Sequence, residues 1–241
     1  MDLRHEIKKT LHDTLFPENP TCPICKRILF FENEAACGKC MSKIQQVDHN
    51  SCRICAASLD QSGNCSRCSE HRFTFDGGIS LWQYDDISKQ IIYDFKYQNN
   101  PDAAKACGRM LAEKLLTTSW INQIDALIAV PVSPATYATR GYNQTQYIAD
   151  EISRICDIIL YNQILFKKDG VKDQTELTPQ ERYANVADAY YLAEAGIIQG
   201  KSLLIIDDVI TTGATLKSIS GVLKSVGAGA IYIATVATAV Y

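Results

Sequence analysis

Apolar positions recur along this chain with two different periods. Leu3, Ile7, Leu11 and Leu15 fall every four residues between an acidic start and Pro17, which predicts one apolar stripe on a short helix. From Phe73 onward, strand-like and helix-like stretches alternate. Gly78–Tyr84 reads as a strand and Ile87–Tyr97 as a helix, and Asn100-Pro101 supplies an N-cap and first-turn pair for a helix from Pro101 to about Thr117. Ala126–Val130 is a short unbroken apolar run of the buried-strand type, and Asn143–Cys156 returns to helical spacing. Leu204–Ile206 predicts a further strand, Ala214–Val226 a helix halted at Gly227, and Ala230–Val236 the last strand. This order predicts an α/β fold with a mainly parallel sheet and helices on both faces, in which ligands bind at the carboxyl ends of strands.

Between Pro17 and Phe73 such periodicity is lacking, and composition explains it. Eight of the ten cysteines lie between Cys22 and Cys68, so a small cysteine-rich module (1–72) is expected ahead of a larger domain of ordinary composition (73–241). Few apolar residues are available in the module, which needs a staple to fold. The chain carries 24 Lys or Arg against 27 Asp or Glu, a formal net charge of −3. Neither part has the strongly basic balance of a nucleic-acid binder, so such binding would require a local patch. No apolar run approaches the ~20 residues that span a bilayer, and the N-terminus mixes charges where a signal peptide has a basic segment and an apolar core. A cytoplasmic, unprocessed protein without membrane insertion is expected.

The eight cysteines form four C-x-x-C knuckles: Cys22/Cys25, Cys37/Cys40, Cys52/Cys55 and Cys65/Cys68. Two thiolates three positions apart on a tight turn point at one ion, and two such turns complete a tetrahedral four-sulfur site suited to zinc. A disulfide framework is the alternative, but a reducing cytosol disfavours it. Cys22-Pro-Ile-Cys25 and Cys52-Arg-Ile-Cys55 recur 30 residues apart, each followed by a second knuckle with a basic residue inside it. A duplicated unit favours sequential pairing, in which each unit closes its own site; a cross-braced arrangement would use the same ligands. With four cysteines per site no coordination position stays open, so two structural zinc ions are expected rather than a catalytic one. His49 and His71 fall outside these sets. Cys107 and Cys156 lie on apolar helix faces and read as core residues.

The most informative stretch is Leu203-Leu-Ile-Ile-Asp207-Asp208-Val-Ile-Thr211-Thr212-Gly213-Ala214-Thr215-Leu216. A buried strand ends in two carboxylates, and a loop of small and hydroxyl residues then opens a helix. Loop amides and the positive helix end suit a phosphate monoester, with Thr212 and Thr215 as extra donors. Asp207 and Asp208 would repel that phosphate at contact; they suit a neutral diol nearby, accepting from sugar hydroxyls. A phosphate cradle beside a diol clamp describes a ribose 5-phosphate site. Gly196–Ser202 is one residue short of a P-loop and precedes a strand instead of following one, which argues against triphosphatase activity.

This segment closely resembles the phosphoribosyl pyrophosphate (PRPP) motif of type I phosphoribosyltransferases. Further segments are similar to the ComF competence-protein family: Phe95-Lys96-Tyr97; Ala129–Ser133 with Arg140-Gly-Tyr-Asn-Gln144; and Gln174–Arg182 with Asn185-Val186. The resemblance implies a double zinc ribbon before a type I phosphoribosyltransferase fold. It also implies magnesium-bound PRPP held by Asp207, Asp208, Thr211, Thr212, Gly213, Ala214 and Thr215. Arg140 is the first candidate to contact the pyrophosphate, because a guanidinium fork fits its oxygens; Arg182 and Lys96 are second candidates. The polar stretch from Lys167 to Asp188 is expected as a flap over the ligand. Thr211 stands where purine-salvage relatives carry an acidic residue, and at neutral pH it cannot take a proton from a base, which leaves the acceptor unidentified. The implied role is in DNA uptake and natural transformation, either with phosphoribosyl transfer or as a non-catalytic PRPP-sensing accessory factor. The implied partners are single-stranded DNA or a DNA-uptake helicase.

Overall fold

The computed structural model describes residues 21–29, 35–47, 50–168 and 189–239. The helix expected at 3–15, His49, Arg182 and the stretch 169–188 lie outside these residues. Five parallel strands form the main sheet: β1 (Gly77–Gln83), β2 (Ala126–Ala129), β3 (Ile159–Leu160), β6 (Leu203–Ile210) and β7 (Ile231–Thr238). Their spatial order is β1-β7-β6-β2-β3, the parallel α/β arrangement that the alternation predicts. A two-stranded antiparallel hairpin, β4 (Leu165–Lys167) and β5 (Tyr190–Leu192), stands apart.

Five helices connect these strands: α1 (Asp86–Tyr97), α2 (Pro101–Leu116), α3 (Pro134–Arg140), α4 (Gln144–Cys156) and α5 (Ala214–Ser225). Each of the first four starts on a side-chain cap. Asp85 closes a capping box with Ser88, and Asn100, Ser133 and Asn143 accept from the first-turn amides of α2, α3 and α4. The two faces of the sheet bury separate cores. One gathers Phe95, Leu111, Ile148, Leu204 and Ile206, and the other Ile205, Leu216, Ile219, Ile231 and Ile233. Cys107 is fully buried in the first, where burial pushes its thiol well above the usual range, as suits a core residue and not a nucleophile.

The cysteine module repeats in structure as it does in sequence. Thr21 bridges Ile28 as Ser51 bridges Ser58, and Lys26 and Ala56 both adopt positive φ one residue after their knuckles. The segment between the two repeats covers the free edge of the sheet. Val47 N–H donates to Leu81 O, Gln83 N–H to Gln45 O, and Gln46 bridges Trp82. A bare edge strand would invite pairing with another chain, and this segment removes that edge. Gly78 permits a separate close approach, that of the second repeat to β1, because a Cβ there would lie 2.3 Å from Ile233 and 2.8 Å from Ile54 O. The first repeat feeds Cys22, Leu29 and Cys37 into one core and the second feeds Cys52, Cys55 and Ala57 into the other. Among the described residues no helix is long and apolar enough to cross a membrane.

Candidate functional site

β6 is buried along nearly its whole length and does not end at its two carboxylates as the apolar run predicts. It continues to Ile210, because β7 goes on pairing with it through Asp207↔Thr235 and Ile210↔Thr238. Asp207 and Asp208 are therefore interior strand residues, 8% and 6% exposed. Burying two adjacent carboxylates is costly unless partners satisfy them. Lys96 Nζ, at the end of α1, donates to Asp208 Oδ1 at 2.7 Å, and Gln144 Nε2, at the start of α4, donates to Asp208 Oδ2 at 2.7 Å. Asp207 Oδ1 accepts the Asp208 N–H at 2.8 Å. Arg140 donates to Gln144 Oε1, and its guanidinium lies 5.3 Å from the centre of the Tyr97 ring.

Burial first, and the Asp208 charge second, push Asp207 up to about 8, so it holds a proton at neutral pH. Burial alone would lower Lys96, but the Asp208 carboxylate beside it outweighs burial and holds the ammonium above its ordinary value. The cavity above them, about 160 Å³, is lined by Lys96, Arg140, Lys167, Asp207, Asp208 and Thr215. Roomier clefts of about 590 and 750 Å³ lie elsewhere, but neither gathers this many charged groups from separate elements.

The loop after β6 turns at Gly213, whose φ of +80° is the left-handed conformation that glycine adopts without cost. Gly213 is the N-cap of α5, and Thr215 in the first turn of that helix lines the cavity. Thr212 Oγ1 accepts the Ala214 N–H at 3.3 Å, which ties the turn to the start of α5. A Cβ at Gly213 would come within 2.6 and 2.8 Å of the Phe73 ring. Gly213→Ala therefore combines a positive-φ penalty with overpacking, about 2–4 kcal/mol in all. Thermal unfolding is expected to show Tm about 5–10 °C lower.

Among the residues singled out in the sequence, Arg140, Lys96, Asp207, Asp208 and Thr215 meet at one cavity, and Thr211 to Ala214 form the turn beside it. Lys96 sits on the acidic pair, not across the cavity from it. Gln144 appears in the sequence only as part of a motif, yet it bridges Arg140 to Asp208. Arg140 ends one helix and Gln144 begins the next, so no helical spacing marks the pair.

The eight knuckle cysteines resolve into two groups, Cys22/Cys25/Cys37/Cys40 and Cys52/Cys55/Cys65/Cys68, in each of which the sulfurs lie within 4.8 Å of one another. This is the sequential pairing. Sγ–Sγ separations of 3.7 Å for Cys25–Cys37, 3.6 Å for Cys52–Cys68 and 3.5 Å for Cys55–Cys65 fit the edges of a tetrahedron. Zinc–sulfur bonds of about 2.3 Å require edges of about 3.8 Å. The donor set suits structural zinc.

The description "Double zinc ribbon domain" matches residues 11–69, and "Phosphoribosyl transferase domain" matches residues 96–239. Competence protein F of Haemophilus influenzae is 26% identical over 220 residues, covering 89% of this chain and 95% of its own. DNA utilization protein YhgH of Escherichia coli K12 is 24% identical, covering 88% and 94%. Competence protein ComFC of Bacillus subtilis is 22% identical, covering 88% and 86%. The parallel sheet, the buried acidic pair, the glycine turn into α5 and these matches together show that the chain belongs to the phosphoribosyl transferase domain family, in the ComF form that carries a double zinc ribbon.

Proposed function

We propose that the cavity at the end of β6 binds PRPP and that the protein transfers its phosphoribosyl group to an acceptor during the handling of incoming DNA. The carrying observation is the meeting of Arg140, Lys96, Asp207, Asp208 and Thr215 around one cavity next to the glycine turn. In this reading the turn and the first amides of α5 take the 5′-phosphate, while Asp207 and Asp208 accept from the ribose 2′ and 3′ hydroxyls. Arg140, steadied by Gln144 and Tyr97, takes the pyrophosphate. Magnesium would sit with the pyrophosphate near the acidic pair and screen its charge. The C1′–oxygen bond to pyrophosphate breaks, charge develops at the ribosyl centre, and a nucleophile bonds to C1′ while its proton leaves to solvent. Positioning and charge stabilisation carry this step, with no covalent protein nucleophile. The DNA context rests on the names of the relatives, Competence protein F and DNA utilization protein YhgH.

A second reading keeps the PRPP site but makes it a sensor in an accessory factor for single-stranded DNA. Thr211 favours it, because this residue cannot serve as the base that assists a purine. Incubating the protein with PRPP, magnesium and a panel of bases and amines while measuring pyrophosphate release separates the two. Turnover with any acceptor supports the transferase. No turnover, together with salt-sensitive single-stranded DNA binding that weakens when Lys26, Arg27 and Arg53 become Ala, supports the sensor.

The raised Asp207 gives a pH signature. Ligand hydroxyls and a magnesium ion favour its ionised form, so binding near pH 7 releases a proton. Affinity is expected to rise between pH 6 and pH 8, as Asp207 titrates near its value of about 8, and the binding enthalpy to vary with the ionisation heat of the buffer. In the free protein the sign is opposite. A carboxyl raised from 3.8 to about 8 contributes stability that is complete below pH 4 and lost as pH rises toward 8. Asp207→Asn should remove both trends, as calorimetry in two buffers and Tm against pH would show.

A further inference from the structure

Duplicated modules invite comparison of equivalent positions, and one pair differs sharply. The basic residue inside the second knuckle of each unit is Lys39 in the first and Arg67 in the second. Lys39 is exposed, whereas Arg67 is 0% exposed. Burying a guanidinium is costly unless its donors and charge are matched. Arg67 Nη1 donates to Cys55 O at 3.2 Å and to Thr238 Oγ1 at 2.9 Å, and Nη2 donates to Ala239 O at 2.5 Å. A closed four-thiolate zinc site in the same unit has a formal charge near −2, which complements the cation.

The far ends of these bonds are what matter. Thr238 ends β7, and Ala239 N–H donates to Ile210 O at 2.9 Å. Ile210 ends β6 and directly precedes the Thr211–Gly213 turn. The chain leaving Cys68 then reaches the same turn at Phe73. The Phe73 ring packs against Gly213 so closely that no Cβ fits, and Phe73 stacks on Phe75 with ring centres 4.6 Å apart. Thr74 Oγ1 lies 2.6 Å from Ser220 Oγ of α5. The turn is thus held before its glycine through Arg67 and Ala239 and at its glycine by Phe73, while Thr74 ties the helix that follows at Ser220.

We infer that Arg67 and Phe73 are positioning residues for the Thr211–Thr215 loop, so that the second zinc ribbon sets the geometry of the ribose-phosphate cradle. This rests on the reading that the loop holds a ribose phosphate, but the mechanical link is tested without ligand. Hydrogen exchange of the Thr211–Thr215 amides in the zinc-loaded free protein is measured for wild type, Arg67→Ala, Phe73→Leu and Lys39→Ala, with zinc content determined for each. Arg67→Ala and Phe73→Leu are expected to speed loop exchange about tenfold or more while two zinc ions per chain are retained, and Lys39→Ala to leave it unchanged. PRPP affinity should fall by a similar factor, about 1.4 kcal/mol for tenfold. If Arg67→Ala loses metal or fails to fold, Thr238→Val removes one acceptor while keeping a β-branched side chain, and loop exchange should still rise about threefold. Unchanged loop exchange in the folded variants, or equal acceleration in Lys39→Ala, overturns the inference. A wild-type protein that fails to bind PRPP overturns the ligand reading, and loop exchange still decides the coupling.

Discussion

Asp208→Asn is expected to weaken PRPP binding at least about a hundredfold, or about 2.7 kcal/mol, in a protein that still folds. Asp208 offers two anionic oxygens, and each already holds a donor 2.7 Å away, Lys96 on one and Gln144 on the other. Asparagine keeps one acceptor and turns an NH₂ group toward the second donor. The ribose hydroxyls lose a charged acceptor, a bond worth about 1.5–3 kcal/mol. Lys96 loses its counter-ion and Gln144 its anchor, so Arg140 also loses part of its support. Because removing one partner of a buried pair is itself destabilising, the titration must be accompanied by a melting curve. Asp207→Asn is the comparison: it removes a carboxyl whose burial already opposes ionisation, and a smaller loss of stability is expected. An unchanged dissociation constant for folded Asp208→Asn would remove the acidic pair from the account.

Cys55→Ser is expected to lower zinc from two ions per chain to one and to unfold the second ribbon. Cys55 is fully buried and its sulfur lies 3.5 Å from those of Cys65 and Cys68. A serine hydroxyl replaces a thiolate poorly at a site where metal binding supplies on the order of 10 kcal/mol of folding free energy. That is comparable to the whole stability of a typical domain, about 5–15 kcal/mol, and little apolar burial is available in compensation. The loss spreads, because this ribbon supplies Cys52, Cys55 and Ala57 to one sheet core and its Arg53 O accepts the Gly78 N–H of β1. Elemental analysis and thermal unfolding check it. Cys156→Ser, on a partly buried helix position outside both groups, should retain two zinc ions. Two zinc ions and an unshifted Tm in Cys55→Ser would contradict the sequential sites.

Local patterns made much of this fold legible. Asn100-Pro101 marked the start of α2 and Asn143 capped α4, because caps are written in adjacent residues. The knuckle spacing and the 30-residue repeat carried the zinc ligands, since three-residue spacing alone brings two sulfurs to one ion. α3 carries no apolar stripe to mark it, because none of its residues is buried, although Ser133-Pro134 caps it. The apolar run stops short of the end of β6, because the last residues of the strand include two carboxylates, which long-range pairing with β7 and salt bridging by Lys96 make tolerable. Within the site, the carboxylates and the glycine turn were local and readable. The bonds from Lys96 and Gln144 to Asp208 span 112 and 64 positions and follow from topology alone. The same holds for Arg67, whose knuckle looked like that of Lys39 until β7 was laid against it.

Calorimetric titration of the zinc-loaded protein with PRPP in the presence of magnesium tests the central claim most directly. One site per chain, competed by ribose 5-phosphate and by pyrophosphate, is the expected result. A folded protein with two zinc ions that shows no saturable binding of PRPP would contradict it.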